Sequence, residues 1–516
     1  LTIFTEARVF ATLDIILSRS QVLLPAAALL AFGAALAGGF HLDDYSLFSN
    51  PDITSSAGFI RLWGPLATRP LTNSTFWLNF TLGARNPFGY HLVNLALHIA
   101  AVAILLGILK KLVSIPAALV AAGIFALHPI QAEAVNYVFE RGTLIATLLC
   151  LLSLRDWLAE RPWRAVAWFA AALLAKEECV AFPVFLLLFE LSSRRTRRPA
   201  GPLTAMFVLS AAAGVRVLLA AAYTPGSAAG AQAGVPWQTY LLTEGLVILR
   251  YFRLLLLPWG FTVDPDIHPE SGPLAWIAWI AIAATVLLSL RYFRNLRAGF
   301  WFIAGLALLL PSSSVFPASD FAADRRMYLP LIGFSVCLGI LLERVDKRVL
   351  ATAALVLAAI SLQRTLVWRT ETSLWTDAVA KSPEKIRPKI QLSRALPPAG
   401  AATVLEEAQR IAPGDPMVAS EQGRVYLAMG QAPQALGSFG RALALRPGDP
   451  MAINNRGVAL MALSQNAAAE QDFHRALSID PCQFDARLNL ARLGIREPVP
   501  SQCRFTPEET RKLEGN

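Results

Sequence analysis

Charge is in short supply in this chain. Only 16% of its 516 residues are Asp, Glu, Lys or Arg, where a soluble globular chain carries about 25%. With 55% hydrophobic residues and a mean hydropathy of +0.48, the composition argues against a soluble enzyme and for a polytopic membrane protein. Cysteine is scarce too, and five residues do not make a disulfide scaffold. Cys150, Cys179 and Cys337 lie in apolar runs and read as small core residues. Cys482 and Cys503 lie in a polar stretch and can form a single bridge if that stretch faces an oxidising compartment. The chain has no Walker-type glycine loop, no zinc-spaced His/Cys set and no Ser-His-Asp constellation, which argues against a nucleotide-driven pump.

The formal charge of +10 is not a nucleic-acid signal. The basic residues gather in short loops between apolar runs, at Lys110-Lys111, Arg161 and Arg164, Arg194 to Arg198, Arg291 to Arg297 and Arg344 to Arg348. Such clusters mark the cytoplasmic side. Read against them, the apolar runs predict about eleven spans, near 20–40, 91–109, 114–128, 142–158, 163–176, 179–192, 202–222, 274–290, 299–311, 328–343 and 349–363. The first run lacks a clean small-residue cleavage site, so it reads as a retained span rather than a signal peptide. With the N-terminus in the cytoplasm, Asp43-Asp44, His128 to Arg141, Lys176 to Glu178, Ser312 to Arg326 and the C-terminal part share the opposite side. Tyr240 to Leu257 is apolar but carries Glu244, Arg250 and Arg253, and is expected to be an interfacial or re-entrant helix.

Beyond about residue 365 the composition turns polar and a repeat begins. Pro413, Pro447 and Pro481 are 34 residues apart, as are Gly423 and Gly457, Phe439 and Phe473, and Ala442 and Ala476. This is the tetratricopeptide period, in which small residues let paired helices approach and proline closes the unit. About three units are expected, with a degenerate one over Trp375 to Arg410. The expected organisation is thus all-α: a membrane helix bundle over 1–365 and a tetratricopeptide α-solenoid over 366–516.

Four polar clusters could carry chemistry. Asp43 and Asp44, with His41, follow the first span; a carboxylate held at the bilayer centre costs roughly 2.5–3.5 kcal/mol. Adjacent acids repel, so one can keep a proton or share a cation while the other acts as general base; the bland alternative is a solvated acid pair at a helix end. His128-Pro129, Glu133 and Arg141 form the second cluster, where His128 alone reads more readily as a hydrogen-bonded interfacial histidine. Lys176-Glu177-Glu178 is the third, its bland reading a turn of mutually paired charges. The fourth is Asp324-Arg325-Arg326, where paired arginines break the charge bias of that side. Their planar forks suit a phosphate at the membrane surface, unless they pair with Asp320 or Asp324.

These stretches resemble one family, the transmembrane and tetratricopeptide-repeat O-mannosyltransferases and their bacterial relatives, of the GT-C glycosyltransferase fold. The likeness rests on Asp43-Asp44 with Asn50-Pro51-Asp52, Arg69-Pro70-Leu71-Thr72, Asn86-Pro87-Phe88-Gly89-Tyr90-His91-Leu92-Val93-Asn94 with His98, His128-Pro129 with Glu133-Ala134-Val135 and Arg141, Lys176-Glu177, and Arg325 with Tyr328-Leu329-Pro330. The resemblance implies a membrane enzyme, in a bacterial inner membrane, that takes a sugar from a polyprenyl-phosphate carrier at the extracytoplasmic face. The acceptor it implies is a hydroxyl, of a protein or peptide held by the repeats, with no nucleic acid involved. Asp43 or Asp44 would be the base. Arg325, Arg326, Lys176, Arg141, His128 and Arg69 would hold the donor phosphate, and Glu133, Glu177, Tyr328 and His91 would bind the sugar or orient the cations. No cofactor is implied beyond the donor, and a divalent metal is left open. The competing readings are a membrane scaffold that recruits envelope or secreted proteins through its repeats, and, last, a transporter, which would line mid-membrane helices with polar groups instead of gathering them at one face.

Overall fold

Proline and a side-chain cap open several of the helices. Asn86 Oδ1 accepts the Phe88 N–H at 3.1 Å ahead of Pro87–Leu112, and Ser114 Oγ accepts the Ala117 N–H at 3.3 Å ahead of Ile115–Leu127. Proline at the first helical positions loses no bond, since that N–H has no intrahelical partner. Lys110 and Lys111 close the first of these helices, where cations complement the dipole. The computed structural model describes residues 21–64, 67–193, 199–223, 234–313, 316–318 and 320–515, and every element among them is helical. The basic cluster Arg194 to Arg198 lies outside the described residues.

The chain divides into two compact units. One runs to Asp44 and resumes over Trp63–Arg369; the other comprises Tyr45–Leu62 and the chain from Thr370 on. The boundary expected at 365/366 therefore falls at 369/370, and Tyr45–Leu62 sorts with the second unit, not with the first as composition suggested.

In the first unit each apolar run is a helix: 21–32, Pro87–Leu112, Ile115–Leu127, Arg141–Leu158, Pro162–Ala175, Phe182–Ser192, Ala200–Tyr223, Pro273–Leu290, Ala298–Leu309, Leu331–Leu342 and Lys347–Val367. By length and composition alone, four of the described helices can cross a membrane, or up to six if two bent pairs each count as one span. The count is below eleven because helices such as Pro162–Ala175 have 14 residues, roughly 21 Å at 1.5 Å per residue, against a hydrocarbon core of about 30 Å. The segment expected to be interfacial or re-entrant is one unbroken helix, Trp237–Leu256, with Tyr240, Glu244, Val247, Tyr251 and Leu254 on its buried face. That continuity removes the re-entrant option. The core of the unit includes Phe125, Phe169, Phe300, Trp301 and Tyr328. Helices Ala298–Leu309 and Leu331–Leu342 approach so closely that a Cβ on Gly333 would stand 2.5 Å from the Gly305 nitrogen.

The second unit stacks helix pairs. Pro416–Ala428 packs on Ala432–Leu445, and Pro450–Ala462 on Asn466–Ile479, followed by Phe484–Arg492. Asp415 and Asp449, 34 positions apart, cap the first helix of each pair through its amides. The period is one of packing: a Cβ on Gly423 would meet the Phe439 ring at 2.7 Å, and one on Gly457 the Phe473 ring at 2.6 Å. Trp375, in the expected degenerate unit, is fully buried in Glu371–Lys381. Cys482 and Cys503 are bridged, and the other three cysteines are free.

Candidate active site

The adjacent acids divide into unlike roles. Asp44 is fully buried; its Oδ2 accepts the His41 N–H at 2.9 Å and its Oδ1 the Phe139 N–H at 2.7 Å. It thus clamps the Leu42–Tyr45 turn to the 137–140 turn. Asp43 is exposed. Its Oδ2 accepts the Tyr137 hydroxyl at 2.9 Å, and its own N–H donates to that oxygen at 3.0 Å. Tyr137 is stacked on Trp368 with ring centroids 5.8 Å apart, so the phenol is held in place.

The turn that carries Tyr137 follows from Pro129, which stops the helix Ile115–Leu127. Short helices Ala132–Asn136 and Val138–Glu140 then bring Glu133, Tyr137 and Glu140 together before Arg141–Leu158 begins. Glu140 is the hub. Its Oε2 accepts Lys176 Nζ at 2.7 Å and Thr143 Oγ1 at 2.8 Å, and its Oε1 stands 3.0 Å from Arg325 Nε. Glu133 takes the other edge of Arg325, pairing with Nη1 and accepting the Arg325 backbone N–H at 3.1 Å. Lys176 also reaches Glu178 at 3.3 Å. Arg69 and Glu177 form a two-pronged pair, with Nε to Oε2 at 3.0 Å.

Burial alone would push the Glu140 carboxyl up, but Lys176 and Arg325 overcome it and hold the group down to about 2. Glu177 is likewise pushed up by burial and held down to about 2 by Arg69. Both are therefore carboxylates at neutral pH. The three cations differ in access: the Arg325 side chain is 22% exposed and that of Arg69 32%, whereas Lys176 is 5% exposed. Tyr137 and Glu140 are three positions apart, at most about 11 Å between Cα atoms. One turn thus joins the exposed acid to the cation cluster.

Other expected site residues are placed elsewhere. Arg141 is fully buried, donating to Asn94 Oδ1 at 2.9 Å, Thr75 Oγ1 at 3.1 Å and the Tyr90 carbonyl at 3.0 Å, with its guanidinium over the Phe76 ring. Arg326 donates to the Phe321 carbonyl at 2.8 Å and lies 3.7 Å from Glu244. His128 Nδ1 accepts the Ile130 N–H at 3.1 Å, so Nε2 carries the proton toward the Leu255 carbonyl, also at 3.1 Å. His91 Nε2 meets the Gly39 carbonyl at 3.0 Å, and the Tyr328 hydroxyl meets His98 Nδ1 at 2.8 Å. Asp324 pairs with Arg250 at 2.8 Å, while Asp320 stands 3.8 Å from Arg325. Among the described residues no group of three or more His, Cys, Asp or Glu is arranged to hold a metal ion.

Sequence reading missed Tyr137 and Glu140. A signal for Glu140 existed, because a carboxylate directly before an apolar helix needs a cationic partner. Nothing local marked Tyr137.

No family model matches the chain. Among curated proteins it is similar to a protein O-mannosyl-transferase of Caenorhabditis elegans, 24% identical over 417 residues that cover 73% of this chain and 60% of that protein. It is also similar to the protein O-mannosyl-transferase TMTC1 of Homo sapiens, 35% identical over 151 residues, 26% of this chain and 17% of the human one. The resemblance read from the motifs is borne out by these relatives. The chain spans less than two thirds of the length of either. Among solved structures, the crystal structure of ArnT from Cupriavidus metallidurans bound to undecaprenyl phosphate is similar at 15% identity, over 88% of this chain and 79% of that one, with a TM-score of 0.38. So loose a structural likeness decides nothing further.

Proposed function

We propose that this chain is an inverting glycosyltransferase of the GT-C kind that moves a sugar from a polyprenyl-phosphate carrier to a hydroxyl of a protein or peptide at the extracytoplasmic membrane face. The observation that carries the reading is the link made by the 137–140 turn. It binds an exposed carboxylate, Asp43, at one end and the cation cluster of Arg325 and Lys176 at the other. General base and phosphate holder are the two parts such a transfer requires. The names of the curated relatives support mannosyl transfer, and the Cys482–Cys503 bridge supports an oxidising, extracytoplasmic setting for the second unit.

In the proposed step the acceptor oxygen attacks the anomeric carbon from the face opposite the leaving group. Its proton passes to the Asp43 carboxylate, a new C–O bond forms, and the bond from the anomeric carbon to the phosphate oxygen breaks. The electron pair leaves with the lipid phosphate. Arg325 and Arg69, the cations with exposed edges, face that charge. Lys176 is buried and acts through Glu140, holding it as the carboxylate that orients Arg325. Asp44 positions Asp43 instead of sharing its task.

The test is purified protein given a panel of polyprenyl-phosphate sugars and a peptide acceptor, with released lipid phosphate as readout. Asp43→Asn protein should insert, purify and release none. Full activity in that variant would remove the base assignment, and no release from any donor would remove the reaction class. The scaffold reading predicts instead that the charged network is dispensable, and the burial of Glu133, Glu140 and Lys176 in one paired cluster counts against it.

A further inference from the structure

A cavity of about 670 Å³ opens in the second unit, lined by the segment that follows the first helix, by the end of the repeat stack and by the C-terminal helix Pro507–Glu514. Its size falls in the range of ligand pockets, about 300–1,000 Å³. The disulfide joins its wall through Cys503. Arg487 braces that wall, donating to the Pro481 carbonyl at 2.6 Å and the Pro498 carbonyl at 3.0 Å.

Three further guanidinium groups line it: Arg61, Arg496 and Arg504. Asp52 already occupies part of two of them, pairing with Arg61 Nε and standing 3.4 Å from Arg504 Nη1. Their side chains remain 43% and 64% exposed, so donors are left on both forks. Arg496 is exposed and makes no hydrogen bond or ion pair among the described residues. The cavity's other carboxylates are Glu497, which lies 3.4 Å from His474 Nδ1, and Glu514. Beside the arginines stand apolar side chains, Ile495, Phe505 and Leu513. Arginine forks match carboxylates in shape as well as in charge, and Asp52 is a carboxylate they already hold. An inorganic anion would use the forks and leave the apolar wall unused; a chain with both acidic and apolar side chains uses both.

We propose that this cleft binds an acidic polypeptide segment, with its carboxylates on Arg496 and Arg504 and its apolar side chains on Ile495, Phe505 and Leu513. That the segment belongs to the acceptor protein rests on the transfer reading above; the binding itself does not.

The experiment uses the full chain in detergent and a labelled, end-capped peptide of alternating Glu and Leu, followed by fluorescence anisotropy. A peptide of the same length with Gln for Glu is the reference. The acidic peptide should bind at least about tenfold more tightly, and the double variant Arg496→Glu, Arg504→Glu should erase the preference. Arg496→Gln with Arg504→Gln, which removes charge without reversing it, should reduce it, and serves if the reversed variant fails to fold. Equal binding of the two peptides, or an unchanged preference in the Gln variant, would overturn the proposal. So would displacement of the peptide by inorganic phosphate at matched charge, which would assign the cleft to a small anion. Asp43→Asn protein should bind the peptide as the unaltered chain does, so a failure here is distinct from a failure of the transfer reading.

Discussion

Tyr137 and Asp43, 94 positions apart, are locked in a reciprocal pair: the phenol donates to the carboxylate at 2.9 Å and accepts the aspartate's own N–H at 3.0 Å. The pair fixes which way the exposed acid points. Removing the hydroxyl in Tyr137→Phe forfeits a hydrogen bond to a charged group, of order 1.5–3 kcal/mol. If Asp43 is the base, kcat for lipid-phosphate release should fall about tenfold or more, with the KM for the lipid donor little changed. A wild-type kcat would mean that the phenol does not position the base.

The carboxylates of the cation cluster set a pH dependence of stability. Glu140 and Glu177 are each pushed up by burial but held down to about 2 by their cationic partners, below the unfolded value of about 4.5. A depressed folded pKa means that the stabilisation is fully present above the unfolded value and is lost as pH falls through the folded one. The contribution of Glu140 and Glu177 to the melting temperature of the detergent-solubilised protein should therefore be constant near neutrality and decline from about pH 4.5 downward. Glu140→Gln should lower the neutral-pH melting temperature and flatten part of that decline. A slope unaltered by this substitution would show that Glu140 does not supply it.

The 34-residue period can be tested by volume. A Cβ at position 457 would meet the Phe473 ring at 2.6 Å, so Gly457→Val overpacks the helix pair at a cost of about 1–3 kcal/mol. Limited proteolysis should cut the repeat region faster in this variant. Gly437→Ala is its control, since nothing stands within 4 Å of a Cβ there. Equal cleavage of both variants would mean that Gly457 is not a packing position.

The disulfide closes a loop with a sequence separation of 21, which by loop-closure entropy is worth about 3 kcal/mol. Cys482→Ser should make the chain after Pro481 the first site of proteolytic cutting and should weaken the acidic peptide in the cleft that Cys503 lines. Unchanged protection would mean that Arg487 and its carbonyl partners suffice to hold the wall.

Much of the helical plan was legible because it is local. The apolar runs, their capping residues and the 34-residue repeat are each written within a few turns of chain, and the helices sit where those patterns put them. The site was legible only as a set of fragments. Asp43-Asp44, Lys176-Glu177 and Arg325 stood out as charges in an apolar chain, but nothing in their neighbourhood names a partner. Arg141 and Arg326 stood out equally, and both are bound to internal hydrogen-bond acceptors.

What the sequence determined by itself is therefore the inventory: where helices form, where they stop, and which few charges an apolar chain keeps. Only tertiary packing decided that Asp44 is buried while Asp43 faces outward, that Glu140 joins Lys176 to Arg325, and that Tyr45–Leu62 sorts with the far end of the chain. The reason is physical. Helix formation depends on neighbours within four residues, whereas the protonation, exposure and pairing of a side chain depend on what is packed against it: Lys176 lies 36 positions from Glu140, and Arg325 lies 192 from Glu133.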